Sequence, residues 1–315
     1  MRRLFTLALA LLGASATAVA SERALTTNQN ADTVSLIDTD GMNVVATIDV
    51  GGKPAGIAVS PDGHTAYITS PEGKYLTAID THDAKALFRV SLEGGPLGIA
   101  VHPSGEEIYV ADWYEHRLLV IDALQRKIIS RIGVGQSPSG VAVTPDGSLI
   151  ITADRDDDRI SLIDAASHSV VGTVKVGTRP FGVTISNDGK TAFTADVGSN
   201  SVSVVDLAAR KLIATIPVGD HPYAVALVNG KGFATNQYAG TLTIFDAASF
   251  AVLDTVEIGE YPEGIEASAD GRFVYVANWF DNTLVKLDTQ SHAIVGEAKV
   301  DDGPRAFGKF LVQMP

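Results

Sequence analysis

Along most of the chain, short runs of alternating apolar and polar residues are broken by turn signals. One copy reads PSGVAVTPDG, SLIITAD, RISLID and SVVGTVKVG, from Pro138 to Gly177. The runs are short and rich in Val, Ile and Thr, and their period of two predicts strands rather than helices. The first two runs of each copy are joined by SPDG, HPSG, TPDG, SNDG or SADG. Proline at the second turn position fixes φ, and the closing glycine is expected in the left-handed conformation of a bulged hairpin.

The copies keep a strict register. The phrase VG-x-x-P-x-G and its looser relatives place prolines at Pro54, Pro96, Pro138, Pro180, Pro222, Pro262 and Pro304, spaced 42, 42, 42, 42, 40 and 42 residues. The Asp that closes LID, AID, VID or KLD falls at Asp38, Asp80, Asp122, Asp164, Asp206, Asp246 and Asp288, with the same spacings. The fifth copy shortens its first turn to VNG, which accounts for the 40. Each copy is therefore an antiparallel four-stranded meander, and seven of them predict an all-β, seven-bladed β-propeller. The chain starts with three strand-like runs (ALTTN, TVSLID, NVVATI) and ends with one (FGKFLV). Together these complete the last blade by a 3+1 closure, which leaves no frayed edge.

Residues 1–20, with Arg2 and Arg3, an apolar run and Ala18-Val19-Ala20, have the form of a secretory signal peptide. A single propeller domain, residues 21–315, is then expected in the periplasm or outside the cell, monomeric and without a membrane span. The chain has no cysteine, which excludes disulfides, thiol chemistry, iron–sulfur clusters and Cys-attached haem. No cofactor is expected. Removal of Arg2 and Arg3 from the 24 basic residues leaves 22 against 37 acidic ones, a net charge of −15. Polyanion binding must then rest on a local patch.

The runs FVYVAN, IYVAD and TVSLID, with IPVG-x-x-P and SPDG, resemble the YVTN-type propeller repeats of bacterial periplasmic and archaeal surface-layer proteins. The likeness covers Ala24 to Val312, and in size and export signal the chain is similar to the YncE-like periplasmic propellers. That resemblance implies single-stranded DNA binding.

Propeller geometry puts the loops around each proline and the loops after YVAN-type strands on one face. The variable positions of those loops form a candidate ligand-binding surface. Phe181, Tyr223, Tyr238, Tyr261, Trp279 and Phe280 make an aromatic crescent on blades four to six, flanked by Arg179 and Arg305. Trp113, Tyr114 and His116 stand apart on blade two, with Arg155 on blade three. Aromatic rings stack on nucleobases, sugars or peptide groups, so an extended ligand is expected: single-stranded nucleic acid, a glycan or a periplasmic protein. The competing expectation is that the rings only wedge the blades together.

Enzymatic alternatives have thinner support. His221 and Glu263, from neighbouring blades, are the candidate acid–base pair of a lactonase-like or lyase-like site. A protein-docking or haem-associated scaffold is a further alternative. No G-x-S-x-G, Walker loop or paired-His zinc motif occurs, so a non-enzymatic role is favoured. The seven strand-closing Asp residues are expected to cap turns. So are Asn28, Ser70, Asp112, Asp154, Asp196, Asn236 and Asn278 at the ends of the second strands, rather than to hold a metal. His64, His82, His102, His168 and His292 fall on the opposite face as turn residues.

Overall fold

The computed structural model describes residues 22–314; the expected signal peptide, residues 1–20, lies outside the described residues. Seven sheets form the ring, each with a four-stranded antiparallel blade. Six blades are consecutive strands, one of them with an added parallel strand from the C-terminus, and the seventh joins both ends of the chain. Blade two is typical, with Pro96–Val101 innermost, then Glu107–Asp112, Arg117–Asp122 and Lys127–Gly133 outermost. Among the described residues the sole helical element is the 3-10 turn Arg155–Asp157.

Burial follows the alternation. Second and third strands are buried on both faces, since each sheet is covered by its neighbours. Outermost strands bury little besides one residue, such as Ile48, Val90 or Ile132, and leave the rest to water. In every blade a bulge breaks the register between third and fourth strands just before the closing Asp, as between Val120 and Ile121. That extra residue increases the local twist.

All seven closing Asp side chains accept the backbone N–H three residues on, for example Asp80 Oδ1 from Asp83 at 2.8 Å. These are the expected turn caps. The residue after each such turn has φ near +50° to +63° and reaches back to the preceding blade. Arg126 lies 4.0 Å over the Phe88 ring, and His168 Nε2 is 3.2 Å from Glu107. Two residues after the marker proline stands a glycine in five of the seven copies, at Gly56, Gly98, Gly140, Gly182 and Gly264, for a separate reason. A Cβ on Gly98 would collide with the Ser139 carbonyl of the next blade, and one on Gly264 with that of Ala306. At these glycines the inner strands approach too closely for a side chain, whereas blades five and seven admit the methyl groups of Ala224 and Ala306.

Closure is 3+1, with one refinement. FGKFLV is split at the fully buried Phe310. Phe307–Lys309 pairs in parallel with Gly56–Val59 of blade one, and Leu311–Gln313 pairs antiparallel with Glu22–Asn28. The Glu266 carboxylate of blade six accepts the N–H groups of Phe310 and, at 2.8 Å, Leu311. The tail therefore ties blades six, seven and one together. The inner strands surround a central cavity of about 830 Å³, lined largely by Gly, Ala, Val and Ile and reached from the side of the SPDG-type turns.

Candidate functional site

Two sets of loops meet on the face opposite those turns. The residue before the marker proline is held through its backbone N–H by a left-handed residue 21 positions earlier. Asp158 Oδ1 accepts from Arg179 at 2.8 Å, Asn200 Oδ1 from His221 at 3.0 Å and Asn282 Oδ1 from Gly303 at 3.0 Å. His116 does the same, its Nδ1 accepting the Ser137 N–H at 3.1 Å, so it braces the loop. Arg179 and His221 take positive φ, +55° each, and Tyr261 takes +61° at the same loop position, where the residue 21 positions earlier is Gly240. Gly303, with φ of +73°, is the residue type this position suits. An imidazole or phenol there is strained by about 1–3 kcal/mol.

Two residues further on, the chain turns inward. Leu97, Ser139, Phe181, Tyr223, Glu263 and Arg305 directly follow their prolines and converge at the mouth of the central channel. Phe181 is 8% exposed, Tyr223 3% and Glu263 2%. Phe181 lies 4.4 Å from Tyr223 and 5.0 Å from Phe307 between ring centroids, and Tyr223 is 5.3 Å from Phe307. These rings plug the channel on this face. Phe181 and Tyr223, expected as ligand platforms, are thus packing groups, because the step past proline aims them at the axis. Phe307, absent from the expected set, supplies the third ring. Trp113 is half-buried against Phe181 at 6.2 Å, with the Arg155 guanidinium 5.4 Å above it. Tyr114 beside it is exposed.

The basic flank is also changed. Arg305 Nε is 2.6 Å from Glu263 Oε2, Nη2 donates to Tyr223 Oη at 2.9 Å, and Gln237 Nε2 donates to Glu263 Oε1 at 2.8 Å. Burial pushes the Glu263 carboxyl up, with Arg305 the largest opposing pull, and burial likewise pushes up the Tyr223 hydroxyl. Arg305 is neutralised within this network. Arg155 pairs with Asp156 at 2.8 Å. Arg179, exposed and without an ion pair among the described residues, is the remaining free cation of the expected set.

What stays open is a series of rings across blades five and six. His221 stacks on Tyr238 at 3.7 Å and 18°, and Tyr238 is 5.6 Å from Tyr261. Tyr261 in turn lies 5.0 Å from Phe280 and 6.0 Å from Trp279, which are 4.8 Å from each other. Tyr238 is 58% and Phe280 59% exposed. Burial first, then Tyr238 and Glu263, push the Tyr261 hydroxyl up to about 12, so it stays a donor. Asp220, Glu260 and Asp281 border the series: Asp220 Oδ1 is 2.8 Å from His221 Nδ1, and Asp281 Oδ2 accepts the Glu260 N–H. Both tryptophans sit at the same corner of their blades, Trp113 N–H bonded to Gly95 O and Trp279 N–H to Tyr261 O.

The acid–base pairing of His221 with Glu263 is not formed. His221 is bonded to Asp220 and stacked on Tyr238, whereas both Glu263 oxygens are taken beneath the surface. The residues ending the second strands are fully buried turn braces. Asp154 Oδ2 accepts from Ser161 Oγ at 2.5 Å and Asp196 Oδ2 from Ser203 Oγ at 2.6 Å. Among the described residues no three His, Asp or Glu side chains form a metal-holding group.

No family model matches the sequence, and no curated protein matches it. Among solved structures, hydrazine synthase of Kuenenia stuttgartiensis matches with a TM-score of 0.72 and 22% identity, over 82% of this chain and 92% of that one. A functionally unknown protein from Desulfotomaculum acetoxidans matches with a TM-score of 0.80 and 16% identity, over 94% of this chain and all of that one. At these identities the chain is similar to both in fold alone.

Proposed function

We propose that the protein is an exported, non-enzymatic binding propeller of the YVTN type, YncE-like, that takes an extended ligand across the open rings of blades five and six. The observation that carries this is the unbroken series His221–Tyr238–Tyr261–Phe280/Trp279, in which Tyr238 and Phe280 keep most of their ring surface in water. Burying one such ring is worth about 1.5–3 kcal/mol, and His221 and Tyr261 hold strained backbone to present theirs. Spacings of 5–6 Å between ring centroids suit successive flat groups of a strand-like ligand.

Single-stranded DNA is the ligand that the repeat resemblance implies. Stacking is worth about 1–3 kcal/mol per base, and Arg179 is placed for one phosphate. With Asp220, Glu260 and Asp281 alongside, affinity rests on rings more than on charge, and a shallow salt slope is expected. Titration of oligonucleotides against Trp fluorescence over a salt series tests this. Quenching at low salt that weakens with salt supports DNA; absence of quenching at low salt removes it and leaves glycan or peptide ligands for the same rings. The engaged states of His221 and Glu263 favour binding over a lactonase-like or lyase-like activity.

A further inference from the structure

On the opposite face, blade one brings two histidines from separate turns together. His64 follows the SPDG turn, and His82 follows the closing Asp80. Their Nδ1 atoms are 3.2 Å apart, with ring centroids at 4.6 Å and planes at 40°. We propose that His64 and His82 form a surface site for a late first-row divalent metal ion, with zinc the best fit.

The spacing carries the argument. Two Zn–N bonds of about 2.05 Å meeting at the tetrahedral angle separate their nitrogens by about 3.3 Å. Adjacent corners of a square plane give about 2.8–2.9 Å for bonds near 2.0 Å, which suits copper(II) less well. The frame behind the rings is fixed. Asp62 Oδ1 accepts the His64 N–H at 3.0 Å, Asp80 Oδ1 accepts that of His82 at 2.9 Å, and Thr81 N–H joins the turns by bonding His64 O at 3.1 Å. Preset ligands of this kind avoid the ordering penalty of binding.

The other histidines behave differently. His102, His116, His168, His221 and His292 each direct a ring nitrogen at a hydroxyl, a backbone group or a carboxylate. His64 and His82 direct theirs at each other, and Nε2 of His82 is buried without a partner. The other nearby acceptor, Thr81 Oγ1 at 3.5 Å from His82 Nδ1, donates to Gly63 O. The same two positions hold Glu106 and Leu124 in blade two and Ser148 and Ala166 in blade three, so the pair is no requirement of the fold. Asp62 and Asp80, which accept the two histidine N–H groups, place carboxylates beside the pair. With no third His, Asp or Glu in a cluster among the described residues, water completes the shell, and the ion exchanges freely.

The test uses full mature protein without a histidine tag, stripped by chelator. Zn²⁺ is titrated by calorimetry and Co²⁺ by its visible absorption. One ion per chain is expected, with affinity falling at least about tenfold in His64→Ala and, separately, in His82→Ala, and unchanged in His102→Ala. Thermal melts of the metal-free variants are expected to match the wild type, because the rings sit on surface turns. Absence of a site in the wild type, or wild-type affinity retained by either His64→Ala or His82→Ala, overturns the proposal.

Discussion

Arg305 grips Glu263 from the neighbouring blade, its Nε 2.6 Å from one carboxylate oxygen and its Nη2 3.3 Å from the other. Since Glu263 is 2% exposed, removing the cation leaves a buried carboxylate without its counter-charge. Arg305→Ala is expected to cost about 3–5 kcal/mol, measured by urea unfolding. Replacing both residues by apolar ones of similar volume is expected to cost much less, since a buried pair roughly offsets its own desolvation. A loss under about 1 kcal/mol for Arg305→Ala would instead make it a surface group, available to a ligand.

Rings of the rim and rings of the plug should separate cleanly in mutagenesis. Tyr238→Ala and Phe280→Ala remove mostly exposed rings and are expected to leave stability within about 0.5 kcal/mol. Each is expected to weaken ligand binding by about 1–3 kcal/mol if the ligand stacks there. Phe307→Ala opens the plug between Phe181 and Tyr223 and is expected to cost about 3–5 kcal/mol. Parallel denaturation and binding curves check both halves.

The architecture was legible because two independent markers, proline and closing Asp, keep one register through seven blades. The site was legible only in part. Residues before and after each proline share a loop, so sequence placed His221 and Tyr223 on one surface. The sign of φ at His221 decides that it points out and its second neighbour in, and composition carries no mark of that sign. Phe307 was hidden inside a strand-like run; the break at Phe310 depends on Glu266, which is far away in sequence. Arg305 read as a free cation because its carboxylate partner sits 42 residues earlier, one full repeat away.

Stability should pass through a maximum in mildly acidic solution. Burial pushes the Glu266 carboxyl up to about 7, with Lys309 pulling it down and Glu22 pushing it up, and burial pushes Asp196 up to about 6. Folded values above the unfolded ones mean a contribution fully present below the ordinary carboxylate range and lost as pH rises through about 7 and 6. A shift of this size at Glu266 corresponds to at most about 3 kcal/mol, and access to the central cavity reduces it to about 1–2 kcal/mol. Exposed turn carboxylates act oppositely. The Thr144 hydroxyl and then the Ser148 N–H pull Asp146 down to about 2, so its contribution is lost as pH falls through that value. Melting curves from pH 4 to 9 are expected to decline from the ordinary carboxylate range up to about pH 7 and to level off above it, and Glu266→Gln to flatten that decline. An unchanged slope in the variant would place the titration elsewhere.

His221 offers the sharpest separation of fold from function. Its φ of +55° is strained for an imidazole, while the same loop position in the last repeat is Gly303. In His221→Gly, relief of strain is offset by the greater freedom of the unfolded chain and by the lost stack on Tyr238. Stability is therefore expected within about 1 kcal/mol of the wild type. Without the imidazole 3.7 Å behind it, Tyr238 is free to change rotamer, and the first rung of the series loses its fixed orientation. Ligand affinity is expected to fall several-fold while the unfolding midpoint stays put. Loss of about 3 kcal/mol of stability with binding intact would mean that the strained backbone serves packing, and the rim would lose its strongest support as a recognition surface.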